Sequence, residues 1–174
     1  MLRFGNKQWC SMPDQQLVQQ VQNTCHLFCA ALTKDEVAQF VSYTHVIDLE
    51  PQEILADIGD IGNSFYLVIA GSIRLYQVNG DREFEIGEIV PGGLVGEMSF
   101  FDRKPRTVCL KASGSGARLL EIQRQMFHRL RIEEPYISTN LLEFVIRSLD
   151  LLVRELSSQN ASLHVRLNTT EAAA

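Results

Sequence analysis

The sequence predicts a mainly β domain with helices at both ends, and three observations carry that expectation. Between residues 44 and 122, short apolar or alternating runs of strand length recur, separated by turn residues. Residues 1–43 and 123–167 instead space their apolar side chains as helices do. No helical segment falls between successive strands, which argues against a parallel α/β sheet. The 174 residues, 45% hydrophobic and 21% charged, suffice for one core of ordinary size plus one long appended element.

In the N-terminal segment, residues 1–43, Leu17, Val18 and Val21 lie on one side of a glutamine-rich helix. Thr33 followed by Glu36 forms a capping box that opens a second helix, with Val37, Phe40 and Val41 on its apolar side. Residues 44–122 contain seven or eight runs: His45–Leu49, Glu53–Ile58, Phe65–Ile69, Ser72–Val78, Arg82–Ile89, Thr107–Ala112 and Arg118–Ile122 among them. Turn signals stand between them at Gly59-Asp60, Gly62-Asn63, Ala70-Gly71, Asn79-Gly80-Asp81, Pro91-Gly92-Gly93 and Ser113–Gly116. Asn79-Gly80 suits a hairpin, because both residues tolerate the positive φ it demands. This spacing predicts an antiparallel sandwich or small barrel.

Residues 123–167 read as a short helix ending before Pro135 and a long amphipathic helix capped by Ser138 or Thr139. Leu142, Leu149, Leu156 and Leu163 recur every seven residues, the spacing of a helix that packs lengthwise on a partner. A homodimer through this helix, from about Ser138 to Leu156, is therefore expected. The tail, residues 168–174, is small and polar and is expected to fray.

Sixteen basic and 21 acidic residues give a net charge of −5, which argues against a direct nucleic-acid surface. The longest apolar run, Phe65–Ala70, falls far short of a membrane span, and Met1–Cys10 has no signal-peptide core. A cytoplasmic chain with reduced thiols and no membrane partner is the expectation. Cys25, His26 and Cys29 lack the second ligand pair that zinc requires, and the four histidines are scattered, so no metal is expected. Asp57 and Asp60 read as solvated loop carboxylates, and Phe4 and Trp9 as anchors of the N-terminal segment on the core. No nucleophile stands in a local catalytic motif, so neither an enzyme nor a cofactor is expected.

The informative stretch runs from Val90 to Ala112. Gly96 lets the backbone approach a ligand, and Glu97–Phe101 can form about one helical turn whose free amides suit an anion. Nine residues after Glu97, and just after a proline, Arg106 can set its guanidinium on a phosphate held there. Glu97 would repel a bare phosphate, but it can accept a hydrogen bond from a sugar hydroxyl beside one. A monoanionic phosphate with a free ribose hydroxyl satisfies both residues. Arg103, Lys104, Arg106 and Lys111 form a local basic cluster that suits such a ligand.

This stretch resembles the phosphate-binding cassette of cyclic nucleotide-binding domains. That module is shared by the catabolite activator protein, regulatory subunits of cyclic AMP-dependent kinase and cyclic nucleotide-gated channels. Leu27-Phe28, Gly62–Gly71 and Pro91-Gly92 also fall in the family's order, so the resemblance covers residues 25–157. It implies an eight-stranded antiparallel jelly-roll barrel with N-terminal helices and a long C-terminal helix. It also implies a ligand pocket at Gly96, Glu97, Met98, Ser99, Arg106 and Thr107. In this pattern the Gly96 and Ser99 amides and Arg106 meet the cyclic phosphate, and Glu97 takes the ribose 2′-hydroxyl. Thr107 adds an amide and, in relatives that favour cyclic GMP, a contact to guanine.

Two features depart from the family. The lid over the base reads Ser148, Leu152 and Val153, which favours stacking over base-edge readout. With so few residues after Leu156, the helix-turn-helix domain of the activator, and direct transcriptional control, are not expected. The expectation is a stand-alone sensor of cyclic AMP, and of cyclic GMP, that signals to a downstream protein through its C-terminal helix. The competing readings are a ligand-free scaffold or dimerisation module of the same fold, and a fragment of a transcription regulator.

Overall fold

The computed structural model describes residues 14–80 and 82–171. Among the described residues, three short helices lead: α1 (Gln15–Thr24), α2 (His26–Cys29) and α3 (Lys34–Ser42). They are followed by strands β1 (His45–Leu49), β2 (Ile54–Ala56), β3 (Ser64–Asn79), β4 (Arg82–Ile89) and β5 (Leu94–Val95). Helix α4 (Glu97–Asp102) and strand β6 (Cys109–Gln123) come next, then α5 (Arg124–Glu133) and α6 (Pro135–Glu171). The architecture is a mainly antiparallel sheet with flanking helices and a long C-terminal helix. Phe4 and Trp9 lie outside the described residues.

Local signals explain the helix starts. Asp14 caps α1 by accepting from the Gln16 amide at 2.9 Å. At α3, the Glu36 carboxylate accepts from the Thr33 amide at 2.7 Å, and Thr33 Oγ1 accepts from the Glu36 amide at 3.3 Å. Such a cap contributes about 1 kcal/mol. Pro135 occupies the first position of α6, where no amide donor is missed. Ser138 and Thr139 therefore do not cap it; both hydroxyls donate back to the Pro135 carbonyl, at 3.0 and 2.8 Å. The helix also continues past Asn168 to Glu171, where fraying was expected.

Among the described residues the sheet has six strands, not the expected eight. The order is β1-β6-β3-β4, with β2 paired to β6 and β5 to β3. Ala70-Gly71 and Ser113–Gly116 look like turns but are bends within two long strands, which stay paired on both sides of the bend. Ser64–Gly71 pairs with Ala117–Gln123, and Ile73–Tyr76 with Cys109–Ala112, with register shifts between. Gly71 makes the bend feasible: its φ is +65°, and a Cβ there would fall 2.2 Å from the Gly116 carbonyl oxygen. The expected hairpin at Asn79-Gly80 closes β3 against β4, with Asn79 opposite Arg82.

The continuous apolar run of β3 is buried on both faces. Phe65, Leu67 and Ile69 pack against the helices with Phe28, Phe40, Leu130, Leu141 and Phe144. Tyr66, Val68 and Ile73 point the other way, into the sheet's interior with Val95, Leu110 and Leu119. The helical layers are also tied by hydrogen bonds: Asn140 donates to the Phe28 carbonyl at 2.8 Å, and Tyr136 to that of Ala31 at 2.9 Å. Tyr43 donates to the Glu133 carboxylate at 2.6 Å. Among the described residues, no helix is long and apolar enough to cross a membrane.

Candidate ligand-binding site

A cleft of about 420 Å³ opens between α4, the strand entered after Arg106 and the middle of α6. This size suits a small molecule. Leu75, Ile89, Leu94 and Leu110 wall it on the sheet side; Ser148, Leu151 and Leu152 wall it on the helix side. Gly96, Glu97, Met98, Ser99, Arg106 and Thr107 all line it, so the six cassette residues converge on one place.

Its polar end is built from the turn before α4. Gly96 has φ +86°, a conformation that opens the helix directly from β5 and brings the peptide against Arg106. The first-turn amides of α4 have no carbonyl partner inside the helix. Arg106 is only 8% exposed, yet its contacts are thin. Nη1 donates to the Gly96 carbonyl and Nη2 to that of Ser64, each at 3.4 Å, and Nε is buried with no hydrogen-bond partner. Among the described residues, no carboxylate lies within 4.0 Å of this guanidinium. A buried cation held only by long bonds to carbonyls is costly by itself and is suited to an anion.

Glu97 is equally buried, at 8% exposure. Burial pushes its carboxyl above the ordinary value, opposed by its own backbone amide and by the Arg106 charge. The Ser99 hydroxyl is committed to the protein: it accepts from the Gly62 amide at 2.8 Å and donates to the Lys104 carbonyl at 2.6 Å. Met98 and Thr107 are exposed at the rim.

Other expectations need correcting. Val153 does not line the cleft and is solvent-exposed, because it sits on the flank of α6; Leu151 lines the cleft instead. The basic cluster is split: Lys104 and Arg106 line the cleft, whereas Lys111 pairs with Glu83 at 3.4 Å and covers the Tyr76 ring. Leu142 and Leu149 are partly packed against the chain's own core, so each is already partly covered within the chain. Cys25 is buried, and burial with the nearby Cys29 pushes its thiol up to about 12. Among the described residues, no three His, Cys, Asp or Glu side chains cluster as metal ligands. Leu75, Ile89 and Asp102 also line the cleft without any local signal in the sequence.

A sequence model described as "Cyclic nucleotide-binding domain" matches residues 46–134, from β1 through α5. The chain belongs to the cyclic nucleotide-binding domain family. The match includes the cassette, Gly96–Thr107, and ends before Ser148, Leu151 and Leu152 of α6. Among similar curated proteins, the cAMP-dependent protein kinase type II regulatory subunit of Drosophila melanogaster is 26% identical over 136 residues. That alignment spans 78% of this chain and 34% of the relative. The Cyclic AMP receptor protein of Thermus thermophilus is 33% identical over 92 residues, 52% of this chain and 42% of the relative. The chain thus spans less than half the length of either. Among solved structures, the Thermus thermophilus Catabolite Activator Protein superposes with a TM-score of 0.65 at 27% identity, covering 77% of this chain and 63% of that one. A cyclic nucleotide-binding domain from Methylobacillus flagellatus reaches 0.74 at 18% identity, with 83% of each chain covered, and shares the fold.

Proposed function

We propose that this cyclic nucleotide-binding domain is a regulatory sensor without catalytic activity, with cyclic AMP as its default ligand. The observation that carries the reading is Arg106, a buried guanidinium with an unpartnered Nε and, among the described residues, no carboxylate within 4.0 Å. The cyclic phosphate lies on Arg106 and the first-turn amides of α4, at Gly96, Glu97, Met98 and Ser99. The ribose 2′-hydroxyl donates to Glu97, which explains an acidic side chain next to an anion site. The base lies between the sheet wall and Leu151 and Leu152. The names of the two curated relatives both include cyclic AMP. Thr107, exposed at the rim, extends the reading to cyclic GMP.

Signalling passes to the C-terminal helices. Phe100 and Phe101 of α4 stack edge-on against Phe127 of α5, with centroids 5.6 and 5.7 Å away, so a shift of α4 presses on α5. Two arrangements of α5 and α6 with different ligand affinity then report occupancy to a downstream protein. In this reading the domain acts in the cytoplasm as a homodimer, through the exposed part of the α6 seam at Ile146, Val153 and Leu156, which are 65%, 59% and 55% exposed. Titration of the purified protein with cyclic AMP, followed by competition with cyclic GMP, tests the function. Saturable binding at one site per chain is expected; no binding of either nucleotide at millimolar concentration overturns it.

A further inference from the structure

Arg124, the first residue of α5, does not line the cleft. Its Nη2 donates to the Gly62 carbonyl at 3.0 Å and also to the Phe100 carbonyl. Its guanidinium lies 4.2 Å from the centre of the Phe100 ring, and its backbone amide donates to the Asn63 carbonyl at 3.0 Å. One residue therefore joins three separate pieces: the 62–63 turn before β3, helix α4 and the start of α5. Among the described residues, no carboxylate lies within 4.0 Å of it. Burial, and then the neighbouring Arg103 charge, hold its pKa below the usual guanidinium value. A cation at a helix N-terminus is also disfavoured by the helix dipole. Its two carbonyl bonds and its ring contact offset these costs.

Gly62 is where these contacts meet the ligand site. A Cβ at residue 62 would fall 2.8 Å from Arg106 Nη2, and the Gly62 amide donates to Ser99 Oγ at 2.8 Å. The same peptide thus abuts Arg106, holds the α4 serine and is gripped by Arg124. We infer that Arg124 is the positioning residue that carries a displacement of Arg106 and α4 into α5, and from there into α6. This rests on the reading that the cleft binds a cyclic nucleotide through Arg106. When a phosphate draws Arg106 toward itself, the Gly62 peptide is freed to follow, and both carbonyls gripped by Arg124 shift with it. A lysine cannot replace it, since a single ammonium lacks the planar surface that covers Phe100 while reaching two carbonyls.

The test combines a cyclic AMP titration with amide hydrogen exchange on wild type, Arg124→Ala, Arg124→Lys and, as a control on the exposed side of α5, Arg131→Ala. In ligand-free protein, both Arg124 variants should exchange the Gly62 amide about tenfold faster than wild type, the loss expected for about one hydrogen bond. On saturation, the ligand-induced change should persist at residues 96–102 and disappear from residues 124–152 in both variants. Arg131→Ala should match wild type throughout. A merely structural role would lower the melting temperature and weaken the change in both segments together. A wild-type-sized response across 124–152 in a nucleotide-saturated Arg124 variant overturns the inference, as does an unchanged Gly62 amide. If Arg124→Ala does not fold, Arg124→Lys gives the same two readings. A wild-type protein that binds no cyclic AMP overturns the functional reading and the transmission step together. The titration alone identifies that outcome, while the Gly62 amide still decides whether Arg124 holds the turn.

Discussion

Gly96 and Arg106 pack so closely that a side chain at one displaces the other: a Cβ at residue 96 would stand 3.1 Å from Nη1 and 3.2 Å from Nη2 of the guanidinium. The arginine is thereby held at the mouth of α4, where the helix amides are free, rather than extended into solvent. Gly96→Ala should remain folded, because Arg106 can swing away, but should lose about 1–2 kcal/mol of stability from the left-handed backbone. Its cyclic AMP affinity should fall by more than that of any variant at the exposed Met98. Thermal unfolding and titration of the two variants in parallel check this.

Glu97 makes stability and affinity depend on pH in opposite senses. Burial raises its pKa in the folded state, so the folded protein keeps this proton to a higher pH than the unfolded chain does. Stability is therefore lost as pH rises from about 4.3, the unfolded value, through the raised folded value. Glu97→Gln removes that loss, so its melting temperature should exceed that of wild type at neutral pH and converge with it in acid. The ribose hydroxyl favours the ionised carboxylate, so wild-type affinity for cyclic AMP should rise over the same interval. In Glu97→Gln, affinity should be flat with pH.

Thr107 decides how strictly the base is chosen. It is exposed at the rim of a cleft whose helix side is Leu151, Leu152 and one hydroxyl, that of Ser148, so little else selects adenine. Cyclic GMP should bind within about tenfold of cyclic AMP, the scale of one neutral hydrogen bond. Thr107→Ala should widen that gap. Competition binding showing a preference for cyclic AMP beyond about a hundredfold, unchanged in Thr107→Ala, would remove residue 107 from base recognition.

Association through α6 would use the part of its apolar side that the chain leaves uncovered. Leu149 packs partly on the chain's own core, so charging it tests folding as much as association. Ile146 and Val153, three residues before and four after Leu149, are the exposed part of the seam. Ile146→Glu with Val153→Glu should give a monomer by light scattering, with the melting temperature of the wild-type monomer fraction retained. A wild-type protein that is monomeric at high micromolar concentration contradicts the dimer.

Features made by neighbours in sequence were legible before the fold was. The Thr33–Glu36 capping box spans four residues, and the whole cassette from Gly96 to Thr107 is one short stretch whose residue types state their chemistry. What escaped the sequence depends on distant partners. Arg124 gains its meaning from carbonyls 62 and 24 residues away, and nothing beside it in the chain announces them. Ala70-Gly71 and Ser113–Gly116 have the composition of turns, but each bends against the other across the sheet, which a local reading cannot tell from a chain reversal. The heptad in α6 correctly gathers Leu142 and Leu149 on one side. Its period cannot say whether that side meets another chain or the chain's own core.

The claim that Arg106 is the anion-binding centre of this domain is tested most directly by calorimetric titration of cyclic AMP into wild type and Arg106→Ala. Removing a charge-assisted bond to phosphate should cost about 1.5–3 kcal/mol, roughly ten- to a hundredfold in Kd, with unfolding still cooperative. A dissociation constant unchanged in Arg106→Ala would contradict the assignment of the pocket and, with it, the sensor reading built upon it.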